Sequence, residues 1–237
     1  MDAVGVVLAA GLGTRVGADG NKAYLPLAGR SMLVWSLDTL TRLPDVARTI
    51  LVFRQGELQL ARDTVDRELP HATVELVEGG ETRHGSETNV VRYLADDIES
   101  GAVDVVAIHD AARPLAGPGM FREAIAVARA FGGALPALPV ENLATHDGHG
   151  LAPVDQRATL VRVQTPQAFR AVDLLHAYRS AERDGFEGTD TSSCIERYTD
   201  VEVRTFAGRI DNFKVTYARD IAVAQHLLSD RTRHAGS

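Results

Sequence analysis

The sequence predicts a three-layer α/β fold: a mainly parallel, twisted sheet with helices on both faces and one projecting β-arm. Three observations carry this expectation. Short apolar runs alternate with stretches of helical period along most of the 237 residues, and such alternation builds parallel strands joined by crossover helices. The first run, residues 3–9, is continuously apolar, as a strand buried on both faces requires. Residues 141–164 break the rhythm. They are polar, contain His146-Asp147-Gly148-His149-Gly150 and resume with a short β-like run, which reads as a hairpin or arm rather than a separate domain.

The elements follow in order. The strand at 3–9 ends in glycines. Residues 31–42 place Leu33, Val34, Leu37 and Leu40 on one helical face, with Ser31 as the N-cap. A strand at 48–53, a charged helix at 57–68 and a strand at 73–77 come next, the last broken by Gly79-Gly80. A helix at 86–99 leads to a strand at 103–108, a helix after Pro118 and a strand at 133–140. Beyond the arm the pattern predicts helices at 171–183 and 189–198, a strand at 201–206 and a last helix at 218–229. Residues 1–230 are expected to form one domain, and 231–237 a flexible, polar tail.

Composition narrows the function classes. Hydrophobic residues make up 45% and charged residues 24%, the balance of an ordinary globular core. A net charge of −7 speaks against a dedicated nucleic-acid binder. No apolar run reaches the roughly 18 residues of a membrane span, and the N-terminus lacks a basic leader, so it reads as the first strand. The single cysteine, Cys194, leaves no intrachain disulfide and no cysteine-based zinc site, which suits a cytoplasmic location.

Ligands in such sheets bind beyond the carboxyl ends of the strands, so the loops after residues 9, 77 and 108 are the candidate sites. The first is Ala9-Ala10-Gly11-Leu12-Gly13-Thr14-Arg15, with Lys22 seven residues on. Two glycines let backbone N–H groups approach phosphate oxygens. Arg15 and Lys22 add cations where charge builds in phosphoryl or nucleotidyl transfer. Val16 spoils the full dinucleotide fingerprint and no Gly-Lys-Ser/Thr follows, so both the dinucleotide fold and the P-loop are disfavoured. The second loop runs from Ile108 to Pro114: Asp110 at a strand end is a natural Mg²⁺ ligand, and Arg113 is free to hold a phosphate or pair with Asp110. In the third, Glu78 to Ser86, glycines allow close approach, Ser86 caps a helix or meets a ligand, and His84 reads as solvated. In the fourth, Asp211 to Thr216, Lys214 stands between apolar neighbours with its ammonium aimed outward. His109, His146 and His149 do not read as a metal cluster.

Taken together, LAAGLGTR, Lys22, EGGETRHGS, HDAARP, QTPQAF, GTDTS and DNFKVT, in this order from Val4 to about Leu228, resemble the 2-C-methyl-D-erythritol 4-phosphate cytidylyltransferases. They are also similar to the related ribitol-5-phosphate cytidylyltransferases. The resemblance implies a Rossmann-like nucleotidyltransferase fold and transfer of CMP from CTP to the acceptor phosphate, with pyrophosphate leaving. It implies that Arg15 and Lys22 stabilise the pentacoordinate α-phosphate, and that the backbone of Ala9, Ala10, Gly11 and Gly13, with Gly80, Glu81 and Ser86, holds CTP. Asp110 would bind Mg²⁺ and, with Arg113 and Thr189, lie toward the acceptor, and Arg157 and Lys214 would position it. The arm would pair two copies into a homodimer.

Two departures lie on the acceptor side. Leu143 aligns with a threonine of the family, and Gln156 stands where an aspartate precedes Arg157. They motivate two alternatives: a cytidylyltransferase for ribitol-5-phosphate or another alditol phosphate, and a non-catalytic nucleotide-binding paralogue.

Overall fold

The computed structural model describes residues 2–11, 20–141, 143–146, 151–153 and 160–235. Its first half alternates as expected. Strand β1 (Asp2–Leu8) is followed by a 3-10 turn (Lys22–Tyr24), a small antiparallel pair β2 (Pro26–Leu27) and β3 (Arg30–Ser31), and helix α1 (Met32–Thr41). Then come β4 (Val46–Phe53), α2 (Leu58–Glu68), β5 (Glu75–Glu78), α3 (Arg83–Tyr93), α4 (Ala95–Glu99), β6 (Val103–Asp110), α5 (Pro118–Phe131) and β7 (Gly132–Pro139). The second half holds β8 (Ala144–His146), β9 (Leu151–Pro153), β10 (Val161–Val163), β11 (Gln167–Arg170), α6 (Ala171–Asp184), α7 (Thr191–Tyr198), β12 (Glu202–Ala207) and α8 (Ala218–Ala235).

The main sheet runs β10-β7-β11-β6-β1-β4-β5, with β12 also on β7. β1 pairs in parallel with both β4 and β6, and β4 with β5. β11 lies antiparallel between β6 and β7. The outer edge of β7 is shared: β12 runs parallel along Gly132–Ala137, and β10 antiparallel along Ala137–Pro139. β8 and β9 form a separate antiparallel hairpin.

The continuous apolar runs are explained by two-sided burial. Val7, Leu51 and Val105 face one core with Leu33, Leu37 and Leu40 of α1 and Phe121 of α5. Val6, Ile50 and Ile108 face the other with Val90, Leu174, Tyr178 and Ile195 of α3, α6 and α7. Each such side chain, fully buried, contributes about 1.5–3 kcal/mol of transfer free energy. A third, smaller cluster joins Leu27 and Met32 to Val215, Ala224 and Leu228, seating α8 beside the β2–β3 pair.

Four local expectations are corrected. The helix expected at 86–99 is split at Leu94 and starts three residues earlier; the earlier start follows from Thr82, not Ser86, being the N-cap, its Oγ1 accepting from Gly85 N at 3.0 Å. Ser31 sits at the start of α1 but caps nothing; its Oγ and N–H both donate to the Glu68 carboxylate at 2.7 Å. His84 is buried, not solvated, stacked on Tyr178 at 4.9 Å between centroids. The expected tail begins as helix, since α8 continues to Ala235. Arg231 anchors it, donating to Leu115 O at 3.0 Å and Asp211 Oδ2 at 2.7 Å.

Candidate active site

The carboxyl ends of β1, β5 and β6 open onto one cleft of about 310 Å³. Ala9, Ala10 and Gly11 form one wall, Gly80 to Arg83 with Ser86 a second, and Asp110 to Ala112 the floor. Lys22 and Lys214 also line it.

The β5–α3 turn shows why its glycines are needed. A Cβ on Gly79 would stand 2.6 Å from Ala10 Cβ and 2.9 Å from Ser86 Oγ, and one on Gly80 would stand 2.8 Å from the Gly85 backbone. Only bare backbone lets this turn lie against the loop after β1. Ser86 is spent on the turn itself: its Oγ accepts from Gly80 N at 3.1 Å and donates to Thr82 O at 2.9 Å.

Lys214 is brought in by backbone stitching. Val215 N donates to Ala112 O at 2.8 Å, and Arg113 donates to Asn212 O at the same distance. Asn212, fully buried, donates to Thr165 O at 2.9 Å. The three motifs around Asp110, Thr165 and Asn212 are thus one unit. Within it, Thr165 Oγ1 accepts from Asp110 N at 3.1 Å and lies 3.0 Å from His109 Nδ1, while His109 Nε2 faces Arg113 O at 3.1 Å. The Nε2–H tautomer satisfies both contacts. Burial lowers the His109 pKa to about 4, so the ring is neutral and structural.

Asp110 is the electrostatic centre. Lys214 Nζ donates to its Oδ2 at 2.7 Å, and Arg83 lies 3.4 Å from its Oδ1. Burial alone would raise this carboxyl. Arg83, Lys214 and Arg113 overcome it and hold the group far below the ordinary carboxylate range. Arg83 is itself gripped from behind by Glu87 at 2.6 Å. Glu87 also accepts from Thr191 at 2.6 Å and from Tyr178 at 2.5 Å. Burial pushes the Glu87 carboxyl above its usual range, against the guanidinium and two hydroxyls that favour the anion.

Of the residues expected from the sequence, Ala9, Ala10, Gly11, Lys22, Gly80, Glu81, Ser86, Asp110 and Lys214 line this cleft. Arg113 and Thr189 do not; Arg113 supports the Lys214 segment and Thr189 is exposed just ahead of α7. Gly13, Arg15, Gln156 and Arg157 lie outside the described residues, and Leu143 is about half exposed beside β8. Sequence reasoning missed Arg83 and Asn21. Arg83 sits inside a motif already singled out, and its i, i+4 spacing from Glu87 was the available signal. Asn21 offered none beyond its place before Lys22.

The family model described as IspD, 2-C-methyl-D-erythritol 4-phosphate cytidylyltransferase, matches residues 3–230. A protein of that name from Cereibacter sphaeroides is 37% identical over 230 residues, covering 97% of this chain and 98% of its own. Another, from Solibacter usitatus, is 34% identical and covers 96% of each chain. Among solved structures, 4-diphosphocytidyl-2C-methyl-D-erythritol synthase from Anaerococcus prevotii superposes with a TM-score of 0.80 at 25% identity, covering 96% of both chains. The 2-C-methyl-D-erythritol 4-phosphate cytidylyltransferase of Thermus thermophilus does so with a TM-score of 0.72 at 29% identity, covering 96% of this chain and 98% of its own.

Proposed function

This chain belongs to the 2-C-methyl-D-erythritol 4-phosphate cytidylyltransferase family, and from that premise we propose how its cleft performs the transfer. The protein is a CTP-dependent cytidylyltransferase of isoprenoid precursor biosynthesis: it moves CMP from CTP to methylerythritol phosphate and releases pyrophosphate. The acceptor phosphate is itself the nucleophile, so the site must orient two anions and offset their repulsion rather than supply a strong base.

The observation that carries the mechanism is the convergence of Lys22 and Lys214. Lys22 Nζ donates to the carbonyl of Val215 at 2.9 Å, one residue beyond Lys214, so both ammonium groups border the same cleft. The walls at Ala9–Gly11 and Gly80–Glu81 receive the nucleotide. Lys22, with Arg15, meets charge developing at the α-phosphate, and Lys214, with Arg157, draws the acceptor phosphate in line. Ser86 acts by shaping the nucleotide turn. Arg113 acts through Asn212 to seat Lys214, and Thr189 lies toward the acceptor.

Mg²⁺ fits this donor set. Asp110 is an ionised carboxylate on the cleft floor, and Mg²⁺ commonly takes one or two carboxylates with substrate phosphates completing its shell. Among the described residues there is no group of three or more acidic, histidine or cysteine side chains able to form an all-protein cage. Asp110 would hold the ion, which when bound neutralises phosphate charge.

A homodimer belongs to the same reading. Among the described residues the β8–β9 hairpin pairs only with itself, and an isolated two-stranded hairpin is marginal in water. Docking on a second copy supplies the missing support. We assign the enzyme to the cytoplasm, where a free buried thiol such as Cys194 stays reduced.

Pyrophosphate release with a panel of acceptors tests the reading. Methylerythritol phosphate should turn over with kcat/KM about a hundredfold above that of ribitol 5-phosphate. The reverse order would transfer the activity to alditol phosphates. CTP binding without turnover of any acceptor would make the chain a paralogue that only binds nucleotide.

A further inference from the structure

Lys22 reaches Val215 O with its ammonium; the turn that carries it is tied to the nucleotide wall by the neighbouring side chain, Asn21. Asn21 is buried, with 7% of its surface exposed, and all of its side-chain hydrogen-bonding groups are used. Its Oδ1 accepts from Ala23 N at 3.0 Å, capping the 3-10 turn that carries Lys22. Its Nδ2 donates to Ala9 O at 2.6 Å, at the first residue of the nucleotide wall. The same amide nitrogen donates to Glu57 Oε2 at 2.8 Å. Glu57 stands at the start of α2, beyond a turn in which Gly56 takes a left-handed φ of 82°.

The loop after β4 otherwise contributes nothing to the cleft lining. Its carboxylate is nonetheless aimed at the one amide that spans the wall and the lysine turn. An Asn fits because the position needs two donors and one acceptor at once. Aspartate would keep the cap on Ala23 but set a carboxylate against Glu57 and against the Ala9 carbonyl. Alanine would leave Ala9 O, Ala23 N and Glu57 with unmet bonds.

We propose that Asn21, held by Glu57, is the positioning residue for Lys22, fixing the distance between that ammonium and the Ala9–Gly11 wall. It touches no reacting atom; it acts by restricting where Lys22 points. The inference rests on Lys22 acting at the α-phosphate, as argued above.

The test is a cycle of variants read by steady-state pyrophosphate release, CTP affinity by calorimetry, and thermal melting. Lys22→Ala alone addresses the underlying reading: it should lower kcat by a hundredfold or more, on the order typical of a charge-stabilising group, with CTP affinity changed less than about threefold. If Lys22→Ala keeps near-normal kcat, the role of Lys22 is wrong and Asn21 has nothing to position. Asn21→Ala should lower kcat about tenfold in the parent enzyme, with KM for CTP within roughly twofold, and should have no further effect in the Lys22→Ala background. The same tenfold loss in both backgrounds would overturn the proposal and make Asn21 a support of the loop at large. Glu57→Gln, which keeps an acceptor for the amide, should retain at least about half of kcat, whereas Glu57→Ala should fall with Asn21→Ala. Equal losses in the two Glu57 variants, or none in either, would remove Glu57 from the assembly.

Discussion

Arg83 stands between two carboxylates, Asp110 on the cleft floor and Glu87 in the interior, and it is the only link between them that the ion pairs show among the described residues. Taking one partner from a buried pair leaves the other charged and unpaired, which costs about 3 kcal/mol or more. Arg83→Met should therefore lower the unfolding free energy by about that amount, read from urea midpoints. Arg83→Met combined with Glu87→Leu should recover part of the stability but none of the turnover, because Asp110 would still lack its second cation. His84 provides a different handle. Burial lowers its pKa below the ordinary value of 6.5, with Glu187 opposing. The unfolded chain then binds more protons than the folded one below that value, so stability is full above about pH 6.5 and declines as the pH falls through the folded pKa. Denaturation midpoints should drop as the pH falls below roughly 6.5, and drop less in His84→Phe, which keeps the stack on Tyr178 without a titrating ring. An unchanged slope would show that other groups carry the effect.

The turn between β5 and α3 and the loop after β1 touch through Gly79 and Ala10. Gly79→Ala forces a Cβ into that contact, and overpacking of this kind costs about 1–3 kcal/mol. The expected result is a lower melting temperature together with a several-fold weaker CTP affinity, since the two elements that must part are the two nucleotide walls. A loss of stability with unchanged CTP binding would mean that the walls open independently. Of the strands that build these walls, β1 was legible as an uninterrupted apolar run and β5, which carries Glu75 and Glu78, from the glycines that end it. β11 was not. Four residues, Gln-Ala-Phe-Arg, are too few to display a period, and their place between β6 and β7 depends on pairing with strands far away in sequence. The split at Leu94 was equally hidden, because Val90, Val91, Leu94 and Ile98, from both sides of the break, join one apolar cluster and read as one continuous helical face.

The doubly wound architecture and the cleft at the strand ends followed from alternation alone, and Lys22, Asp110 and Lys214 followed from their motifs. Arg83 and Asn21 did not, because their meaning lies in partners 27 and 36 residues away that no local pattern reveals. The same holds for the three-motif unit around Thr165, which is built from side chain to backbone bonds. Val161 is the register partner of Pro139, so residues 140–160 depart from and rejoin neighbouring points of one strand pair. Replacing them with a two-residue Asn-Gly turn would close β7 onto β10 as an ordinary hairpin. The shortened protein should sediment as a monomer, bind CTP within roughly threefold of the parent and lose acceptor turnover; a dimer that persists would place the interface elsewhere. On the expected outcome the segment between these junctions would be cargo rather than frame. Arms exchanged between relatives at these two junctions would carry acceptor preference with them, while the choice of nucleotide would stay with the recipient sheet.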